Sequence, residues 1–191
     1  MRSSATKIKG DIFVNICVYG AASNQIAPIF LEQTERLGEA LAERGHTLVF
    51  GAGGNGVMGA LARGAAKAGG EIVGIVPSFF PDGVLSPACT DVRRTETMRE
   101  RKQMMEDVSD AFIMAPGGVG TLDEFFEILT LRQLDRHQKP IAILNVDGIF
   151  DGLLEVLSRL HEEKFIGRTG FASLAAFDNA EALLAYLEEN A

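Results

Sequence analysis

The sequence contains no tryptophan, two cysteines and three histidines among 191 residues. Cys17 and Cys89 lie far apart and in no metal-ligand spacing, which argues against a disulfide framework and fits a reducing, cytoplasmic location. His46, His137 and His161 are scattered and form no HExxH pattern, so no zinc site is expected. Positive charge is also short: 18 Lys and Arg against 26 Asp and Glu give a net charge of −8. Without a long basic patch, nucleic acid is not an expected partner. No apolar run reaches the roughly 18 residues of a membrane span, so no membrane association is expected either. Any phosphate this chain binds has to be held locally, by backbone amides and a few cations.

What is present is an ordinary globular balance, 47% hydrophobic and 23% charged, with a length that suits one domain over residues 1–191. Residues 1–10 are polar and read as a flexible N-terminus. The apolar stretch 12–19 contains Asn15 and lacks a small-residue cleavage site, so it reads as a buried strand rather than a signal peptide. Further strands are expected at 46–50, 71–76, 111–115, 140–145 and 174–177. Helices are expected at 26–44, 56–68, 97–108, 121–136, 150–163 and 180–189. The segment 77–87, with three prolines, is the long irregular loop. Strands alternating with helices imply right-handed crossovers and an α/β fold: a mostly parallel sheet in a three-layer α/β/α sandwich. Ligands of such sheets sit beyond the carboxyl ends of the strands, which directs attention to the loops after Phe50 and Ala115.

Both loops are glycine-rich. Gly51-Ala52-Gly53-Gly54-Asn55-Gly56 matches GxGxxG between a strand and a helix. A dinucleotide fold would then need an acid at the end of the next strand, to hold a ribose hydroxyl. That strand ends Ile75-Val76-Pro77-Ser78 instead. Two readings are left: a tight turn that needs glycine for positive φ, and a loop in which Gly53 and Gly54 contact a mononucleotide. Pro116-Gly117-Gly118-Val119-Gly120-Thr121 opens the helix after 111–115. Its glycines let several N–H groups converge where the helix start adds partial positive charge. No GK[ST] ending follows, so a monophosphate is the simpler guest. Thr121 and Glu124 can equally form a capping box, Thr121 as N-cap and Glu124 returning to its N–H.

The helix 97–108 carries Arg101 inside an apolar stripe of Met98, Met105 and Val108, with Lys102 bordering it and Arg99 rotated about 200° away. A cation on an apolar face needs an anionic partner. It is an internal salt bridge, a stem snorkelling to solvent, or a holder of a bound anion.

The combination of Met98-Arg99-Glu100-Arg101-Lys102 with Pro116-Gly117-Gly118-Val119-Gly120-Thr121-Leu122-Asp123-Glu124 resembles the Lonely Guy family, cytokinin riboside 5′-monophosphate phosphoribohydrolases whose bacterial members were often labelled lysine decarboxylases. The resemblance runs from about Ile16 to Leu187. It implies a Rossmann-like fold, a homodimer or larger assembly of dimers, and no cofactor. It implies hydrolysis of AMP or a cytokinin riboside 5′-monophosphate to free base and ribose 5-phosphate. By motif position Arg101 and Glu124 are the catalytic pair, and Lys102, Gly117, Gly118, Val119, Gly120, Thr121 and Thr130 contact substrate; Ser23 keeps part of a further turn's contacts. The chain departs from the family pattern at Arg99 (usually His), at Leu131 (usually Trp) and in Tyr19-Gly20-Ala21-Ala22-Ser23, which replaces a CGSS-like turn. In the 77–87 loop Asp82 is the nearest acid to a missing glutamate.

An N-glycosidic bond breaks with oxocarbenium character on the ribose; a nearby carboxylate can stabilise that charge or activate the attacking water, and Arg101 can hold it ionised, orient it or bind phosphate. Two other classes share these motifs. A non-catalytic nucleotide or molybdenum-cofactor carrier of similar fold would not need the Arg101–Glu124 pair. An amino-acid decarboxylase would need a Schiff-base lysine, and Lys102 lies beside an arginine on a short helix.

Overall fold

The computed structural model describes residues 14–167, 171 and 174–191. The polar segment 1–10 and the first two residues of the expected strand 12–19 lie outside the described residues. The strands are β1 (Asn15–Tyr19), β2 (Thr47–Phe50), β3 (Ile72–Pro77), β4 (Asp91–Thr95), β5 (Ala111–Met114), β6 (Ile141–Leu144) and β7 (Leu174–Phe177). The helices are α1 (Pro28–Glu43), α2 (Gly56–Lys67), α3 (Met98–Val108), α4 (Val119–Gln133), α5 (Asp151–Glu162) and α6 (Ala180–Asn190). All seven strands pair in parallel in the order β4-β3-β2-β1-β5-β6-β7. The sheet is buried on both faces, which is why its central strands read as unbroken apolar runs. This is the expected three-layer α/β fold.

Alternate residues of each strand feed two cores. Ile16 and Val18 of β1 point towards Leu37 and Leu41 of α1 and Leu61 of α2. Cys17 and Tyr19 point the other way, with Met105 of α3 and Phe125, Ile128 and Leu129 of α4. Helices α1 and α2 approach closely because Gly38 and Gly64 lack side chains. A Cβ at Gly38 would run into the Leu61 carbonyl, and one at Gly64 into the Glu35 carbonyl. Among the described residues no helix is long and apolar enough to cross a membrane.

The structure corrects the sequence reading in two places. Strand β4 (Asp91–Thr95) was not expected: it lies at the sheet edge, mostly exposed, with Arg93 and Arg94 where a buried strand would be apolar. Charges on an edge strand discourage pairing with other chains, and they also erase the apolar signature. Helix α4 begins at Val119, two residues before the expected start, with Gly118 as N-cap and no side-chain capping bond. Thr121 is therefore inside the first turn, and the capping box does not form. Helix α3 does have a side-chain cap, the Thr97 hydroxyl accepting from the Glu100 N–H at 3.1 Å. The loop from Pro77 to Pro87 includes a turn of 3-10 helix at Asp82–Val84.

Candidate functional site

The strand order reverses at β1: β2 and β3 are laid down on one side of it, β5 and β6 on the other. After β1 the chain turns towards α1 on one face, and after β5 towards α4 on the other. Two loops that leave in opposite directions open a crevice at the carboxyl edge of the sheet. A cleft of about 390 Å³ occupies it, lined by the turn Gly20–Ser23, Gly51, Met58, Arg101, Gly118, Gly120, Thr121, Asp123 and Glu124. A second, more apolar chamber of about 350 Å³ adjoins it across Gly51, Met58 and Arg101, walled by Val76, Pro77, Phe80, Val84 and Leu85.

Arg101 stands where the two spaces meet. Its Nε donates to the Ile75 carbonyl of β3 at 3.1 Å, and its Nη1 to Glu124 Oε1 at 2.8 Å. Both side chains of this ion pair are only 11% exposed. The internal salt bridge considered for Arg101 is thus realised, and its partner is the other candidate catalytic residue. In the α3 stripe Met105 is fully buried while Met98 faces solvent, and Arg99, off the stripe, is exposed as well. Gly51 makes room for the guanidinium, since a Cβ there would strike Nη2. Burial pushes the Glu124 carboxyl above its ordinary value of 4.5, with Arg101 opposing that push. Such a carboxylate changes charge nearer to neutrality than an exposed glutamate does.

The two glycine-rich turns differ in what their amides do. At α2 the Gly56 N–H donates to Asn24 Oδ1 at 2.7 Å and the Met58 N–H to the Ala21 carbonyl at 3.2 Å. Asn24 also donates to the Asn55 side chain, so α2 is capped by a residue 32 positions away in sequence. Gly56 holds φ of +60° to permit this, and Ala52 adopts φ of +62°, a backbone cost for a residue with a side chain. At α4 the Val119, Gly120 and Thr121 N–H groups have no acceptor among the described residues. An anion at that helix start would find both free donors and the positive end of the dipole.

The remaining candidate residues divide between the cleft and elsewhere. Thr121 is buried, its hydroxyl against Gly117, and a Cβ on Gly117 would collide with it. Beside Gly118 and Gly120 there is open space. Ser23 lines the cleft and its hydroxyl accepts from the Gln25 N–H. Gly53 and Gly54 line the apolar chamber. Val119 projects into solvent. Thr130 does not line the cleft; it is exposed and donates to the Phe126 carbonyl at 2.7 Å. Lys102 does not line it either. It pairs with Asp123 at 3.2 Å and with Glu127, and chiefly through Glu127 its pKa is raised. A Schiff-base lysine needs the opposite shift, and no lysine among the described residues lines the cleft.

Sequence reasoning missed Asn24, Tyr19 and Met58. Tyr19 lines the cleft with its ring stacked on Phe112, and burial keeps its phenol protonated. Its signal was available in the Tyr19–Ser23 departure from the family turn. Asn24 had none, because its partner is distant in sequence.

A family model described as possible lysine decarboxylase matches residues 58–187. A cytokinin riboside 5′-monophosphate phosphoribohydrolase of Mycobacterium tuberculosis is 42% identical over 95% of this chain and 96% of its own. One from Arabidopsis thaliana is 35% identical over 93% of this chain and 82% of its own. Among solved structures, a molybdenum cofactor binding protein from Rippkaea orientalis superposes with a TM-score of 0.73 at 26% identity, covering 93% of this chain and 97% of its own. The family model, the extent of these alignments and the Arg101–Glu124 geometry agree: the chain belongs to the Lonely Guy family.

Proposed function

We propose that this protein is a nucleoside 5′-monophosphate phosphoribohydrolase, taking AMP or a cytokinin riboside 5′-monophosphate to free base and ribose 5-phosphate. The observation that carries the reading is the buried Arg101–Glu124 pair, set one helical turn inside a helix start whose amides are unclaimed. The names of the relatives support the same activity. The 5′-phosphate accepts from the amides around Gly118–Thr121, which leaves the ribose over Glu124. As the bond from C1′ to the base nitrogen lengthens, positive charge builds on the ribose and the Glu124 carboxylate stabilises it. Glu124 also takes a proton from the attacking water, whose oxygen bonds to C1′ while the base departs with its electron pair, and that proton passes on to the base nitrogen, returning Glu124 to its carboxylate. Arg101 touches Glu124 and favours its ionised form, opposing part of the upward push of burial. Gly117 and Val119 join the substrate-contacting set by motif position and shape the loop's backbone, whereas Thr130 and Lys102, assigned by the same motif, stand outside their own chain's cleft.

We further infer a homodimer or a larger assembly of dimers, since α4 buries Phe125, Ile128 and Leu129 yet leaves Phe126, and Leu134 at its C-cap, exposed. Free Cys17 and Cys89 fit a cytoplasmic enzyme. The test is base release from AMP and from adenosine by the purified protein. AMP is expected to be cleaved with a kcat/KM at least about a hundredfold higher, because phosphate binding orients the ribose. Equal values would overturn the phosphate assignment. No base release from any 5′-monophosphate, with binding retained, would instead indicate a carrier.

A further inference from the structure

The cleft is lined by two carboxylates, Glu124 and its sequence neighbour Asp123. Successive residues of a helix are turned by about 100°, so the two leave α4 along different lines. Measured from Gly120, which also lines the cleft, Glu124 lies about 40° to one side and Asp123 about 60° to the other, each roughly one turn further in. A ligand that starts at the amides of α4 and runs along this face passes between them. The Glu124 side chain is the inner one, 11% exposed, and Asp123 the outer one, 64% exposed, at the mouth. Each has its own cation, and the two cations are again sequence neighbours. Arg101 Nη1 donates to Glu124 Oε1 at 2.8 Å, and Lys102 Nζ to Asp123 Oδ2 at 3.2 Å. Lys102 is in turn anchored by Glu127. The ammonium therefore fixes one Asp123 oxygen from outside the cleft, and among the described residues nothing donates to the other, Oδ1.

We propose that Asp123 accepts a hydrogen bond from the 2′-hydroxyl of the bound ribose, that Lys102 holds it in place for this, and that the contact makes the site specific for ribonucleotides over 2′-deoxyribonucleotides. A carboxylate repels phosphate, so Asp123 has no place in the anion site at the start of α4. What it accepts from is a hydroxyl. With the phosphate on those amides and C1′ at Glu124, the 2′-hydroxyl is the donor on the carbon next to C1′. Its proton becomes more acidic as positive charge builds on the ribose, so a bond to a carboxylate strengthens towards the transition state. The arrangement also gives Lys102 a task although it does not line the cleft. Lys102 is a positioning residue that acts through Asp123, as Arg101 acts through Glu124.

The inference rests on the reading of this cleft as a nucleoside 5′-monophosphate site, and the test separates the two. AMP and 2′-deoxy-AMP differ in the intrinsic lability of their glycosidic bonds, so the readout is how a mutation changes the ratio of their kcat/KM values. Asp123→Ala should lower kcat/KM for AMP about a hundredfold, as for loss of a hydrogen bond to a charged group, and leave that for 2′-deoxy-AMP within about threefold. An equal fall on both substrates would make Asp123 a structural residue and overturn the proposal. Asp123→Asn keeps an oxygen acceptor without the charge and should recover about tenfold of the loss on AMP. Lys102→Met should lower the AMP to 2′-deoxy-AMP ratio about tenfold, and a ratio as in wild type would overturn the holding role. Binding is read separately, by calorimetry on Glu124→Gln. AMP should bind about tenfold tighter than 2′-deoxy-AMP, and the two should bind equally once Asp123→Ala is added. Equal affinities with Asp123 in place would overturn the proposal and leave the nucleotide reading standing. Binding of neither nucleotide would overturn the reading of the cleft, and the proposal with it. AMP bound but never cleaved by the wild type would refute the hydrolase reading alone, and the calorimetry would still decide the 2′-hydroxyl contact.

Discussion

Glu124 is pulled in two directions, upward by burial and downward by Arg101, and the upward pull is the larger. If activity needs the ionised carboxylate, the acid limb of kcat/KM lies above the ordinary glutamate value of 4.5. Arg101→Gln removes the cation that favours the charged form, so the limb of its residual activity should move to higher pH. A pH profile of both proteins checks this; a limb that stays in place or moves down would detach Arg101 from Glu124. Arg101 was legible in the sequence because a cation in an apolar stripe has few physical excuses. Its choice of partner was not, since Glu124 lies 23 residues away and had a local use available as a helix cap. Thr130 was placed by motif alone, and its chain's own cleft does not reach it.

At the level of elements, the turn between β2 and α2 acts as a cradle for Arg101 as much as a connection. Gly51→Ala should drive the guanidinium out of its position against the Ile75 carbonyl and Glu124. Loss of most activity with a retained circular dichroism spectrum is the expected outcome; unchanged kcat/KM would show that the guanidinium has room to spare. The core strands were readable because burial on both faces demands unbroken apolar runs, as in Phe112-Ile113-Met114 of β5. Strand β4 escaped for the complementary reason. Its hydrogen bonds to β3 are backbone bonds, which ask nothing of Arg93 or Arg94. The start of α4 escaped because Thr-Leu-Asp-Glu spells a capping box, and a spelling does not reveal that the backbone has already turned helical at Val119.

For the whole molecule, the reversal of strand order at β1 gives two glycine-rich helix starts one crevice, and α4 offers Val119, Gly120 and Thr121 amides while the Gly56 and Met58 amides of α2 are already taken. AMP at a hundred times its Kd should therefore stabilise the protein against unfolding by about 2.7 kcal/mol, while NAD at the same concentration leaves the melting temperature unchanged. Thermal shift measurements with Glu124→Gln, which cannot consume the ligand on this reading, make the comparison clean. At α2 the Asn24 side-chain oxygen already accepts from the Gly56 N–H, a donor that an anion at this helix start would need. Asn24 is a built-in mimic of a ligand group. A fold that carries its own mimic at one helix start commits the crevice's anion binding to the other, and the self-capped turn of α2 becomes a fixed wall rather than a second seat.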